Sequence, residues 1–347
     1  MVEFATMGLL NWLTRNMSPH PIAIHLGSDV IRMMQIGCSK RNVLHNAMEV
    51  ASGDYGGISE ALSSFKGKGC VASISSEDVL VQHIRVPIDI DEKQIIEQLV
   101  THDKRWGDAE LRKVCVTTTG GSAKALHEIL CVGIQRVISK EIVDELEAIG
   151  LKVVAVTVPL YASIRAFDKL YRRDGDGKMT SMLIDMDDSS SIVMIAHGAN
   201  CVFAHRLDTE YVTPNLELLP RLEVAPSLIE IANTPCTNLE RRTESNPRGL
   251  CGVNETNGQV ESEFTSELEK CLRHHDALFP NRAVERVIFT GRGANDNDYC
   301  GAVASQLELQ GYIADPSAWI ESDCSIASGP SWTTAAGMCM RYSELAA

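Results

Sequence analysis

No stretch of the chain holds the roughly 20 consecutive apolar residues that a membrane-crossing helix needs. The opening segment, residues 1–16, has neither a long apolar core nor a small-residue cleavage site, so it reads as a poor secretory signal. Aromatic residues make up only 5% of the 347 positions, which leaves few rings for stacking single-stranded nucleic acid. Basic residues are scarce against acidic ones, 32 Lys and Arg to 46 Asp and Glu, for a formal net charge of -14. A chain so charged has no general attraction to phosphate backbones or anionic lipid, and no nucleic-acid partner is expected. The 11 cysteines are irregularly scattered without a CxxC pair, which argues against a disulfide framework and for a reducing cytoplasm. Cys115, Cys131 and Cys201 sit in apolar runs, where Cys behaves as a small hydrophobe. The nearest approach to a metal cluster is Cys271 with His274 and His275. Cys271 and His275 have i,i+4 spacing, but with no second ligand pair in view the plainer reading is a solvated helix end.

What remains is ordinary globular material, 44% hydrophobic and 22% charged, enough to bury a core. The length predicts two domains or one bilobal unit. Residues 7–15 form a short apolar stretch, read as a frayed terminus, with a weak interfacial helix as the alternative.

From residue 22 the chain opens with a hairpin. Ile22, Ile24 and Leu26 alternate, Gly27, Ser28 and Asp29 form a turn, and Val30 to Ile36 returns. A third strand over 43–50 and a short helix over 58–65 follow. Strands over 71–74 and 79–86, a helix from the acidic run at residue 89 to about Trp106, strands over 113–119 and 128–133, a helix capped by Ser139 and stopped by Gly150, and a strand over 152–158 make an α+β module. After a helix over 159–171 the loop 172–178 looks like a lobe boundary. A second hairpin then opens over 182–196, with a third strand over 202–206, and this echo of the first half suggests a duplicated architecture. Residues 216–231 hold at most one helix, and 233–258 read as an exposed loop. A helix over 264–278, a buried strand over 284–290, a helix over 302–309, a strand end at Tyr312 and Ile313 and a small-residue helix over 333–342 complete the chain.

Three polar turns follow apolar strands: Gly27 to Asp29, Asp185 to Ser191, and Gly291 to Gly293. Free amides and short hydroxyl side chains at such turns can cradle a phosphate. One turn alone means nothing, but three, two of them opening matching halves, suggest a nucleotide cleft between lobes.

The turns also carry a resemblance. Ile24-His25-Leu26-Gly27-Ser28-Asp29-Val30-Ile31-Arg32 is similar to the pattern x-D-I-G-S-x-x-[IV]-K, and Leu183-Ile184-Asp185-Met186-Asp187 to [VL]-[VI]-D-[IV]-G. Ile288 to Ala294 resembles [IL]-x-x-[ST]-G-G-[GS]-[AS], and Ala335 to Arg341 a closing A-x-G-L-A-L-R. In this order the motifs resemble the PilM family of type IV pilus assembly proteins, the FtsA-like branch of the actin/Hsp70-like ATPase superfamily, over nearly the whole chain. The resemblance implies an α/β actin-like ATPase fold of two lobes, each built on an RNase H-like βββαβα unit. It places an N-terminal tail at 1–20, a first lobe at 21–180 with an inserted α+β subdomain at about 71–155, a second lobe at 181–341 with a reduced small subdomain at about 207–283, and a tail at 342–347. It also implies ATP with Mg²⁺ as cofactor, held by Gly27, Ser28, Asp29, Arg32, Asp185, Asp187, Ser189, Ser190, Gly291, Arg292 and Gly293, with Asp185 toward the metal.

The departures weigh against that cofactor. His25 stands for the family's Asp, and an imidazole cannot serve hard Mg²⁺ in its place. Arg32 stands for Lys, Asp187 and Arg292 for Gly, and Asp188 adds a further carboxylate. The expectation is a degenerate cleft, with weak ATP binding or none and no catalytic residue. By resemblance the chain is a cytoplasmic scaffold, peripheral to the inner membrane, that binds the cytoplasmic tail of a PilN-like membrane protein in a groove between first lobe and insert. Other pilus inner-membrane components and self-association are further expected partners. Three alternatives stand beside it: an active ATPase or sugar-kinase-like enzyme, a filament-forming FtsA-type tether, and the GspL cytoplasmic component of type II secretion. The last normally continues into a transmembrane helix, and none is read here.

Overall fold

A computed structural model describes residues 21–37, 42–119, 126–170, 178–187, 190–207, 250–253, 262–321 and 327–344. Two hairpin-led meanders organise them. In the first half β1 (Ile22–Leu26), β2 (Val30–Ile36) and β3 (Leu44–Ala51) run antiparallel, followed by helix α1 (Tyr55–Ala61) and strand β4 (Gly69–Ser73). The inserted unit comprises β5 (Leu80–Pro87), α2 (Glu92–His102), β6 (Ala109–Thr119), β7 (Leu126–Gln135) and α3 (Arg136–Ala148). Then come β8 (Lys152–Thr157) and α4 (Pro159–Leu170). The second half repeats the meander with β9 (Thr180–Met186), β10 (Ser191–His197) and β11 (Asn200–Leu207). It continues through β12 (Leu250–Gly252), α5 (Ser262–Leu278), β13 (Arg286–Thr290), α6 (Asn297–Gln306), β14 (Gln310–Ala314) and α7 (Thr333–Glu344).

The first sheet has the order β3-β2-β1-β4-β8, and the second β11-β10-β9-β13-β14-β12. In both, three antiparallel strands are followed by two parallel ones reached through crossovers. That is the duplication the paired hairpins suggested. Strands β9 and β10 are buried at every position, because both faces of the sheet are covered and the runs are nearly continuously apolar. One core cluster joins the two sheets: Ile22, Ile24 and Met33 of the first pack with Leu183, Ile192 and Met194 of the second, and with Leu160, Ile164 and Phe167 of α4.

The insert has its own sheet, β5-β7-β6. Its face toward α2 buries Leu80, Ile84, Val86, Ile129 and Cys131 against Ile95, Leu99 and Trp106. The range 71–155 expected for this module takes in β4 and β8, which instead extend the first sheet beside β1.

Local chemistry sets the ends of several elements. Asp91 and Gln94 form a reciprocal capping box at the start of α2. The helix stops at His102 rather than near Trp106, because Asp103 leaves the helical region and caps a following 3-10 turn through the Arg105 amide. Ser139 is not a cap. It lies inside α3, which starts at Arg136, and its hydroxyl donates back to the Arg136 carbonyl at 3.1 Å. Gly150 does end the following turn, with φ +88. Helix α6 begins five residues earlier than the sequence suggests, because Asp296 accepts the Tyr299 amide as N-cap. Of the stretch 233–258 read as an exposed loop, residues 250–252 form a strand on the edge of the second sheet. The expected helix over 216–231, the tail 1–20 and the loop 172–177 lie outside the described residues.

Helix α7 crosses back to the first half. Ala335, Ala336, Met338, Cys339 and Met340 pack with Ala23, Met34, Ile36 and Val71 of the first sheet. Its contact with α4 is backbone-close. A Cβ on Gly337 would overlap the Ala162 carbonyl and lie 3.2 Å from the Ala166 nitrogen. Gly337→Ala is therefore expected to destabilise the fold by about 3 kcal/mol or more, as measured by urea unfolding. Gly53→Ala, with nothing within 4 Å of its Cβ but φ +78, is expected to cost only about 1 kcal/mol.

Candidate functional site

The three polar turns meet at the carboxyl ends of the central strands. The first is closed by the Gly27 amide, which donates to the Val30 carbonyl at 3.2 Å, and by the Ser52 hydroxyl on the Gly27 carbonyl at 3.2 Å. A Cβ at Gly27 would lie 3.8 Å from the Asp187 carboxylate, so the first and second turns face each other. The second is closed by the Asp187 amide on the Ser190 carbonyl at 3.1 Å. The third begins at Gly291, whose φ of +81 and contact with the Met186 carbonyl exclude a side chain. Gly293 is buried beside Met186. Arg292 reaches Asp29 at 3.5 Å, an ion pair joining the third turn to the first. The structure thus brings together Gly27, Ser28, Asp29, Asp185, Asp187, Ser190, Gly291, Arg292 and Gly293. Ser189 lies outside the described residues.

Charge in this cleft follows a pattern that sequence reasoning missed. Strand register aligns Glu49, Arg32, His25 and Ser73 across β3, β2, β1 and β4. Neighbours in register share a sheet face. The Arg32 Nε donates to Glu49 at 2.8 Å with the arginine 4% exposed, and His25 Nδ1 meets the Ser73 hydroxyl at 2.6 Å. Burial and the Arg32 charge hold the His25 pKa down to about 3, so the ring is neutral. The basic residue of the first motif is therefore engaged by a carboxylate on the adjacent strand.

Asp185 is equally occupied. Thr290, its parallel partner on β13, donates to Oδ1 at 3.0 Å, while Ser163 of α4 and Thr334 of α7 approach Oδ2 at 3.1 and 3.4 Å. Burial and the nearby Asp187 charge raise its pKa to about 6 despite these hydroxyls. The hydroxyls of Ser28 and Ser190 are buried without a hydrogen-bond partner among the described residues. Beside the first turn lies a cavity of about 230 Å³, lined on one side by Leu26, Gly27, Ser28 and Ser52 and on the other by Ile138, Glu141, Ile142 and Glu145 of α3. Glu77 and Asp78 close it, so its charged lining is acidic throughout. Burial raises the Asp78 pKa, with the Glu77 charge adding to it.

Two expectations about soft ligands change. Cys115 is exposed, because its strand β6 is the outer strand of the inserted sheet, while Cys131 is buried as expected. Cys271 and His275 do not mark a solvated helix end. Their i,i+4 face is the buried one, and His275 Nε2 lies 3.0 Å from His197 Nε2. Only His274 faces outward.

These buried rings make stability acid-sensitive. His25 and His197 have pKa values held to about 3 and about 4, chiefly by burial, and burial also lowers that of His275. The unfolded chain takes up protons near pH 6.5 that the fold refuses, so stability is full above that pH and falls below it. From pH 7 to 5 the loss is about 2 kcal/mol for each of His25 and His197. Asp185 acts in the opposite sense, since the fold takes up its proton below about 6, before the unfolded chain does. Urea unfolding is expected to show a net loss of a few kcal/mol over that range, and Asp185→Asn to deepen it by about 1 kcal/mol.

No protein-family model matches this sequence, and no curated protein matches it. Among solved structures, the fold is similar to that of a PilM-PilN type IV pilus biogenesis complex, with a TM-score of 0.65 and 15% identity over 93% of this chain and 98% of the other. A Bacteroides thetaiotaomicron protein of unknown function with an actin-like ATPase fold matches at TM-score 0.45 and 9% identity, over 90% of this chain and 93% of that one. The cytoplasmic domain of EpsL, an inner-membrane component of the Vibrio cholerae type II secretion system, matches at 0.36 and 12%, over 63% and 77%. At such identities the likeness is one of fold. The structure matched at 0.65 is of the same PilM type that the ordered motifs resemble, and the chain has the actin-like ATPase fold, with two duplicated lobes and an α+β insert.

Proposed function

We propose that this chain is an actin-like scaffold of a type IV pilus inner-membrane assembly complex, located on its cytoplasmic side, that binds the cytoplasmic tail of a PilN-like membrane protein and has a nucleotide cleft no longer suited to ATP. The fold likeness to a PilM-PilN complex and the ordered motifs support the first part. No helix among the described residues is long and apolar enough to cross a membrane. In this reading the PilN-like partner supplies the tie to the bilayer.

The observation that carries the second part is the fate of the cleft's charges. A Mg·ATP site needs free cationic groups on the phosphates and accessible carboxylates on the metal. Here Arg32 is paired with Glu49, Arg292 with Asp29, and Asp185 accepts three hydroxyls. His25 is a buried neutral ring where the related pattern has a carboxylate. The residues fit Mg·ATP badly, and Asp187 and the acidic cavity add repulsion toward a polyphosphate.

The same cavity suits a tail. It lies between the first lobe and α3 of the insert, and cytoplasmic segments next to membrane spans carry an excess of Lys and Arg. Four carboxylates around this open cavity would attract such a segment.

Calorimetry of the chain with ATP, with and without Mg²⁺, is expected to show no binding at millimolar nucleotide. Micromolar, Mg²⁺-dependent binding would refute the degenerate cleft. A basic peptide matching the cytoplasmic tail of the cognate PilN-like protein is expected to bind, more weakly as salt rises. Glu141→Lys is expected to reduce that affinity by about tenfold; binding indifferent to both would move the tail elsewhere.

A further inference from the structure

The face of the inserted sheet opposite α2 meets the second lobe at a group of rings. Along β5, Leu80, Ile84 and Val86 face α2, so His83 and Arg85 face the other way. Their register partners on β7 are Leu130 and Glu128. His83 stacks on Phe203 of β11, with centroids 4.9 Å apart, and both rings touch His274 of α5, at 5.6 and 5.3 Å. One ligand atom each of His83, Glu128 and His274 lies within 4.8 Å of the others. Three separate segments therefore converge on one point, from the insert and from the second lobe.

The chemistry of the three groups is that of a metal site. Glu128 is 4% exposed, and its Oε2 accepts from the Arg85 Nε at 2.9 Å, which fixes the carboxylate plane. His83 Nε2 accepts the Ala204 amide at 3.2 Å, and its Nδ1 is buried with no hydrogen-bond partner among the described residues. Ring stacking explains the His83–Phe203 contact. It does not explain why a buried carboxylate and a partnerless ring nitrogen meet a second imidazole.

We propose that His83, Glu128 and His274 bind a divalent transition ion of the zinc class, with the remaining position open to water, and that the ion clamps the insert to the second lobe. Two imidazoles and one carboxylate are borderline ligands that favour Zn²⁺ or Co²⁺ over Mg²⁺ or Ca²⁺. Bonds of about 2.0–2.1 Å require the ligand atoms to draw closer, and the exposed His274 is the one free to move. An ion on Nδ1 displaces its proton to Nε2, so binding gives up the long bond from Ala204 in exchange for three metal–ligand bonds.

The test is Zn²⁺ alone, titrated into the full chain by calorimetry and by competition with a chromophoric chelator. One equivalent is expected to bind at micromolar concentration or tighter, to raise the thermal midpoint, and to be replaceable by Co²⁺ with the intense visible bands of a four-coordinate site. His274→Ala, at an exposed position, is expected to weaken binding about tenfold or more and to abolish the zinc-dependent rise, with any fall in the metal-free midpoint from the lost ring contacts read separately. Glu128→Gln is the second variant and is expected to weaken binding similarly. Cys115, an exposed thiol whose Sγ lies 3.3 Å from His127, is the competing soft ligand, and Cys115→Ser is expected to leave binding intact. Absence of stoichiometric binding, binding that survives His274→Ala, or binding lost in Cys115→Ser would each overturn the proposal.

Discussion

The close crossing of α4 and α7 is the constraint on which the rest of this structure depends. Gly337 lets the last helix lie against the backbone of Ala162 and Ala166, and that approach brings Ser163 and Thr334 within 3.1 Å of each other. Both hydroxyls then point at Asp185 on the central strand of the second sheet. One buried carboxylate so ties two helices and two strands, β9 and β13, at the junction of the lobes. An unsatisfied carboxylate at such depth would be very costly, but three hydroxyl donors offset much of the desolvation. Its pKa nevertheless stays high, so burial and the like charge of Asp187 outweigh the donors. The second motif's acidic residue is thus part of the framework, whatever it might bind.

The same logic governs the first motif. Register places Arg32 between His25 and Glu49, and each polar group is satisfied by the next strand. A lysine-like phosphate contact would require the buried Arg32 to leave its half-buried, hydrogen-bonded partner Glu49, and breaking such a pair leaves a charge uncompensated. Motif shape and motif charge have therefore separated. Tight turns persist at Gly27 and Gly291, where a side chain would collide with a carbonyl, while the charges that would act on a nucleotide are turned toward the protein itself.

Much of the framework was legible in the sequence. The hairpins at 22–36 and 182–196 stood out by alternation and turn residues, and the three glycine-containing turns marked where the strands end. Boundaries failed where one polar side chain had two possible jobs. Ser139 looks like a cap but bonds back within its helix, and Asp103 ends one helix by capping the next turn. The charge pattern was illegible for a different reason. The pairing of Arg32 with Glu49, of Asp185 with Ser163 and Thr334, and of Arg292 with Asp29 joins residues 17 to 263 positions apart, and no local periodicity records such partners. Helix α5 shows the limit most clearly: spacing put Cys271 and His275 on one face, yet that face is buried, with His275 against His197, while the exposed His274 meets His83 and Phe203.

The acidic cavity and the His83–Glu128–His274 group both involve the inserted unit, one through helix α3 and the other through strands β5 and β7. Helix α3 packs Ile142 and Leu146 into the common core, while its Glu141 and Glu145 face the first turn. Strand β5, an edge strand of the inserted sheet, meets β11 of the second lobe through the stacked His83 and Phe203 rings. A ligand drawn into the cavity pulls on α3, whereas a cation among the rings holds β5. Any rotation of the insert as a body must therefore change both contacts at once, so ligands at the two places are coupled to the extent that each prefers one orientation. That coupling needs no nucleotide. It follows from one insert touching both lobes, through α3 and through β5.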